Sequence, residues 1–157
     1  MKNMLLEIIQ DPESQEGQAW VRKDFSPNEV IVREGEKDRK IYLIERGYLR
    51  VSCRVELEDH RAIKPGLYDL GAGDLFGELA LFETHPRMAS VVALDEGALV
   101  EIDCYQLSAY LNQRPAIGYS ILKIMFHVLI DRLSLANRRV EHLLAWGLKV
   151  HGIDEYL

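Results

Sequence analysis

The hydrophobic period of this chain changes once, at about residue 104, and that change limits the fold more than any other feature. From Asn28 to Asp103 the apolar residues come in short runs rich in Val, Ile, Leu and Tyr, as in NEVIVREGEKD, KIYLIERGYLRVSCRVE, PGLYDLGAGD and SVVALDEGALVEID. Turn signals separate them, with Gly35, Gly47, Gly66, Gly71, Gly73 and Gly97 at the run ends. Short apolar runs bounded in this way are strands of an all-β sandwich or barrel, and the spacing fits a β-roll. After Tyr105 the pattern is helical. YQLSAYLN makes a short helix, and Pro115 stands where the first turn of a long one begins, running to about Trp146. The expected fold is therefore mainly β with α: a double-stranded, jelly-roll-like or cupin-like β-roll over residues 25–104, followed by C-terminal helices over 105–150. No internal repeat or linker divides the chain, so residues 1–157 are expected to form one domain.

Composition narrows the function classes. With 157 residues, 48% of them hydrophobic, the chain has enough material for one well-filled core. A net charge of -6 argues against a surface built to grip phosphate backbones or anionic membranes, and no membrane association is expected. Cys53 and Cys104 each lie in an apolar run and read as reduced, buried thiols. The opening MKNMLLEIIQ is too short for a signal peptide, and the residues after it are too acidic. A cytoplasmic protein is expected. The five histidines, His60, His85, His127, His142 and His151, contain no His-X-His pair, and only two fall in the β half. That is not the converging set a cupin-type metal enzyme needs. Without a nucleophile and base constellation either, neither a metal nor catalysis is expected.

One stretch departs from ordinary strand and turn chemistry: GDLFGELALFETHPRMAS, residues 73–90, which sets a carboxylate, Glu78, inside the apolar run LFGELALF and carries a single guanidinium, Arg87. GAGDLFGE ends a strand, and ELALF has the spacing of a single helical turn. The N–H groups at such a turn, those of Leu79 and Ala80, face an anion with the positive end of the peptide dipoles. Arg87 supplies a planar fork of donors and a charge that persists in an apolar pocket. The Glu78 carboxylate only accepts hydrogen bonds, so beside an anion its natural partner is a pair of sugar hydroxyls. Spacing alone leaves a second reading open, a plain Glu78 to Arg87 ion pair on the surface.

FGELALFETHPRMASVV resembles the phosphate-binding cassette of cyclic nucleotide-binding domains, the family of the bacterial catabolite activator protein and of the regulatory subunits of cyclic-nucleotide-dependent kinases. Upstream, FSPNEVIVREGEKDRKIYLIERGYLRVS is similar to the opening strands of that family. Together the similar regions cover roughly residues 25 to 103. The resemblance implies that Glu78 holds the ribose 2′-hydroxyl and Arg87 the cyclic phosphate. It also implies that Gly77, Leu79, Ala80 and Ala89 approach the ligand through backbone. The residue after the arginine is Met88, where cGMP-selective members often carry a threonine and the catabolite activator a serine. A hydroxyl able to bond phosphate or guanine is thus missing, which favours cAMP over cGMP, and the bulk of Met88 narrows the pocket. Ser90, two residues on along a strand, is expected on the same side as Met88, in a core or turn role.

LIDRLSLANRRVEHLLA is similar to the dimerisation helix of the catabolite activator family, in which two adjacent polar residues meet the adenine. Ala136 and Asn137 occupy those positions, which makes Asn137 the candidate base reader, with a solvent-facing Asn as the alternative. The helix carries a seam of its own: Leu122, Phe126, Leu129, Leu133, Ala136, Val140 and Leu143 alternate in steps of four and three, as in a two-stranded coiled coil. At roughly 48 Å over residues 115–146, it is longer than a domain of this size is wide. A homodimer through this helix is expected. The winged helix-turn-helix of the catabolite activator family is missing after GLKVHGIDEYL, and the adjacent Arg138 and Arg139 diverge on a helix, so direct DNA binding is not expected. The function implied is a cyclic-nucleotide sensor that signals through its C-terminal helix. The alternative is a binding-dead β-roll that serves as a dimerising interaction module, against which the intact Glu78 and Arg87 count.

Overall fold

A computed structural model describes residues 17, 19–56, 62–63, 65–82 and 85–151. The opening MKNMLLEIIQ, His60, and the end from residue 152 onward lie outside the described residues. By their internal contacts the residues fall into two units, Met1–Pro115 and Ala116–Leu157.

The described part of the first unit consists of strands β1 (Trp20–Phe25), β2 (Val30–Val32), β3 (Lys40–Arg46), β4 (Leu49–Ser52), β5 (Val55–Glu56), β6 (Ala62–Ile63), β7 (Gly66–Leu70), β8 (Leu75–Phe76), β9 (Ser90–Ala93) and β10 (Gly97–Asp103), then helix α1 (Cys104–Gln113). Two four-stranded sheets form, in the orders β1-β10-β3-β8 and β2-β9-β4-β7, while β5 and β6 pair separately. The pairings are antiparallel. This is the expected double-stranded β-roll.

Side-chain alternation places the core between the sheets. In β4, Leu49 and Val51 point inward while Arg50 faces out and forms a two-pronged pair with Asp69 of β7, its register partner, at 2.8 and 2.9 Å. Phe25, Tyr42, Ile44, Phe76, Val91 and Leu99 join Leu49 and Val51 in one buried cluster. Strand β3 has four buried residues in succession, Ile41 to Ile44, because its second face is covered as well.

Strand β1 begins upstream of the expected start of the roll. Only its ends, Trp20 and Phe25, are buried, and the four residues between them are exposed and mostly charged, so the run lacks the alternation that marks a strand. Its pairing with β10 in the register Trp20↔Ile102 to Phe25↔Gly97 is what makes it extended. The strands on both sides of β10 crowd Gly97: a Cβ there would lie 2.2 Å from the Arg46 carbonyl oxygen of β3 and 2.3 Å from the Phe25 ring of β1. Gly97→Ala is expected to cost about 1–3 kcal/mol through overpacking, read as a lower midpoint in denaturant unfolding with unchanged slope.

Helix α1 starts where Asp103, in extended conformation, accepts hydrogen bonds from the backbone N–H groups of Tyr105 and Gln106, both at 2.9 Å. It stops at Arg114, which the following proline keeps out of the helical region, at φ -132° and ψ 69°. Pro115 then opens α2 (Pro115–Val150), which runs 36 residues, four past the expected end at Trp146. Among the described residues, no helix is long and apolar enough to cross a membrane.

Candidate functional site

Strand β8 is short, but it is held firmly. It pairs with β3 as Tyr42↔Phe76 and Leu43↔Leu75, and the Tyr42 and Phe76 rings stack at 4.8 Å. The chain then leaves the sheet through Gly77 at φ 79°, ψ 11°, and enters a 3₁₀ turn over Glu78–Leu81, the helical turn expected from ELALF. Gly77 is required here on two counts. Its left-handed conformation is one that side chains rarely adopt, and an added Cβ would lie 2.7 Å from Arg87 Nη1 and 2.8 Å from the Lys40 carbonyl oxygen.

The second side of the site comes from the segment between β2 and β3. Its backbone fixes Arg87 from both sides, with Gly35 N donating to the Arg87 carbonyl and Arg87 N donating to the Glu36 carbonyl, each at 2.8 Å. The guanidinium then reaches across to β3. Nη2 donates to the Asp38 carboxylate, in a close ion pair, and to the Lys40 carbonyl at 2.6 Å, while Nη1 lies 3.4 Å from the Gly77 carbonyl. The guanidinium carbon sits 5.6 Å from the centroid of the Tyr42 ring. Burial pushes the Tyr42 phenol well above its ordinary value, with the Asp38 and Glu101 carboxylates adding to the effect, so this wall of the site is neutral.

The Arg87 side chain is only 9% exposed, yet Nε is buried with no hydrogen-bond partner. A guanidinium donor withdrawn from water and left unbonded costs on the order of 1–3 kcal/mol. An anion that reaches it recovers that cost. Glu78, nine residues before Arg87 in the sequence, is buried at 3% exposure. That burial disposes of the surface ion pair that spacing had left open.

The remaining candidates divide. Ala80 is buried and Leu79 is exposed. The Ala80 N–H, expected among the donors facing an anion, instead donates to the Gly77 carbonyl at 3.1 Å. The reason is that a 3₁₀ turn closes on the third residue back, one residue sooner than an α-turn. Ala89 is partly buried and packs against the core cluster. Met88 is 76% exposed rather than packed against its neighbours. Ser90 is buried, in keeping with its expected core or turn role but not with a side shared with Met88, and its Oγ accepts from Glu34 N at 3.0 Å. Strand β9 starts only at Ser90, so strand alternation does not extend back to Met88. Asn137 lies on α2 in the second unit and is exposed.

Sequence reasoning passed over Asp38 and Arg39. They sit in the charged run GEKDRK, which reads as a solvated turn. Cys104 is buried, and burial pushes its thiol up to about 11, so it is no thiolate at neutral pH.

The sequence model of the cyclic nucleotide-binding domain matches residues 22–114. A CRP-like cAMP-activated global transcriptional regulator of Mycobacterium tuberculosis is 30% identical over 121 residues, covering 77% of this chain and 50% of that protein. A cAMP-dependent protein kinase regulatory subunit of Dictyostelium discoideum is 34% identical over 80 residues, 51% of this chain and 24% of that protein. The chain thus spans half the length of the first relative and a quarter of the second. Among solved structures, the catabolite activator protein of Thermus thermophilus superposes with a TM-score of 0.64 at 24% identity, covering 79% of this chain and 55% of that one.

Proposed function

The chain belongs to the cyclic nucleotide-binding domain family, and from that premise we propose that it is a cAMP sensor in which Arg87 grips the cyclic phosphate and Glu78 the ribose. The observation that carries the proposal is the buried guanidinium of Arg87 with an unbonded Nε, next to a glycine that no other residue can replace. The phosphate takes the open Nε–H and the N–H of Leu79 at the start of the turn. Glu78, two residues from the core strand β8, accepts from the 2′-hydroxyl in a water-poor setting where that bond discriminates strongly. Gly77, Ala80 and Ala89 let the backbone come close.

Preference for cAMP rests on position 88. An exposed methionine offers neither a hydroxyl nor a strong acceptor to guanine. Calorimetric titration of the chain with each nucleotide is expected to give tighter binding for cAMP. Equal or reversed affinities would remove position 88 as the discriminator, and no binding of either would leave the β-roll as an interaction module.

Output in this reading passes through α2, along which the exposed Leu122, Phe126, Leu133, Val140 and Leu143 form the four-three seam of a homodimer. Ligand can shift the helix only by the difference in its affinity for the two states.

A further inference from the structure

The 3₁₀ turn that carries Glu78 ends with carbonyls that the turn itself cannot satisfy, and it has no basic residue in its last turn. Arg39 supplies the missing donors from another part of the chain. Its Nε lies 3.3 Å from the Ala80 carbonyl oxygen and its Nη2 3.4 Å from that of Leu81. The same guanidinium lies over the Tyr105 ring, 4.2 Å from its centroid, and the Arg39 carbonyl accepts from Cys104 N at 2.9 Å. One residue therefore ties the far end of the turn to the first turn of α1, whose start is independently fixed by the Asp103 cap.

We propose that Arg39 is a positioning residue for Glu78, setting the reach of its carboxylate toward the 2′-hydroxyl and so the preference for ribose over deoxyribose. The inference rests on the ribose role proposed for Glu78. Its physical basis is the stiffness of a four-residue turn, in which displacing the carbonyls of Ala80 and Leu81 displaces the first residue with them. Of the three groups that hold the Arg87 guanidinium, Asp38 and the Lys40 carbonyl lie outside the turn, and only the most distant, the Gly77 carbonyl at 3.4 Å, borders it. Loss of Arg39 should accordingly loosen the sugar grip more than the phosphate grip, of which only the Leu79 N–H rides on the turn.

The test is calorimetric titration of the whole chain with cAMP and 2′-deoxy-cAMP, using wild type, Glu78→Ala, Arg39→Ala, Arg39→Lys and Tyr105→Leu. Melting temperatures establish that each variant is folded. Wild type should prefer the ribonucleotide, and Glu78→Ala should lose that preference. Arg39→Ala should weaken cAMP by about tenfold, the scale of one hydrogen bond to a charged group, and leave the deoxy ligand within about twofold. Arg39→Lys should restore part of the preference, since an ammonium keeps one carbonyl bond and the ring contact. Tyr105→Leu, an exposed change that keeps the fold even where Arg39→Ala does not, should shift the preference in the same direction by less. Equal weakening of both ligands, or no weakening, in Arg39→Ala and Tyr105→Leu overturns the role of Arg39. A wild type that binds both ligands equally overturns the ribose role of Glu78 instead, and the proposal with it.

Discussion

Replacing Arg87 by alanine is expected to weaken cAMP binding by about 2–5 kcal/mol, the range for truncating one partner of a buried charged pair. Two terms set where in that range the loss falls. The guanidinium is only 9% exposed, so its attraction for a phosphate is screened less than it would be at a surface. Against this, Asp38 already faces it, so the incoming phosphate meets a pair whose net charge is near zero and relies on the open Nε–H and on local geometry. The second term places the loss in the lower half of the range for as long as Asp38 stays in contact. Arg87→Lys should fall between wild type and Arg87→Ala, because it restores a charge but not the fork that spans Asp38, Lys40 and Gly77. Calorimetry on variants whose melting curves remain cooperative is the measurement. Affinity unchanged in Arg87→Ala would mean that the phosphate is held elsewhere.

The candidate site was legible in sequence where a charge interrupted an apolar run, and illegible where a partner came from far along the chain. Glu78 stands out because the residues on either side of it, LFG and LALF, are apolar or glycine, and Arg87 because it is the one guanidinium of the stretch. Asp38 and Arg39 do not, because GEKDRK has the composition of any solvated turn and their partners lie 41 to 66 positions away. What fixes those partners is the β3 to β8 pairing and the crossing of β10 into α1, neither of which has a local signature. The same distinction holds for the fold. Strands β3, β4 and β10 and the break before Pro115 follow from apolar runs and proline chemistry. Strand β1 exists through its ladder with β10, and its charged middle hides it. Met88 shows how a sound rule fails at an element boundary: alternation relates residues within β9, where Val91 and Ala93 share the core face, but says nothing about a residue that precedes the strand.

Substituting Leu133 by glutamate is expected to turn a dimer into a monomer. Leu133 lies near the middle of α2 and is 63% exposed; Phe126, Val140 and Leu143 on the same seam are exposed to 61%, 63% and 68%. Fully burying a leucine stabilises by about 1.5–3 kcal/mol, and a symmetric dimer loses that contribution twice when the residue is replaced. A glutamate held in an apolar interface adds a desolvation cost that pairing across the two-fold cannot relieve, since each chain presents the same charge. The combined penalty is at least about 3–6 kcal/mol, which weakens dimerisation by two to four orders of magnitude and moves a micromolar dimer out of reach. If cAMP acts through this helix, ligand affinity and dimer affinity raise each other by the same factor, because coupling between two binding equilibria is reciprocal. Sedimentation of wild type and Leu133→Glu, each with and without cAMP, tests both statements. A wild type that sediments as monomer throughout removes the seam as an interface. A dimer whose strength ignores cAMP retains the interface but severs it from the pocket, and α2 is then a scaffold whose seam holds two sensors side by side without reporting what either has bound.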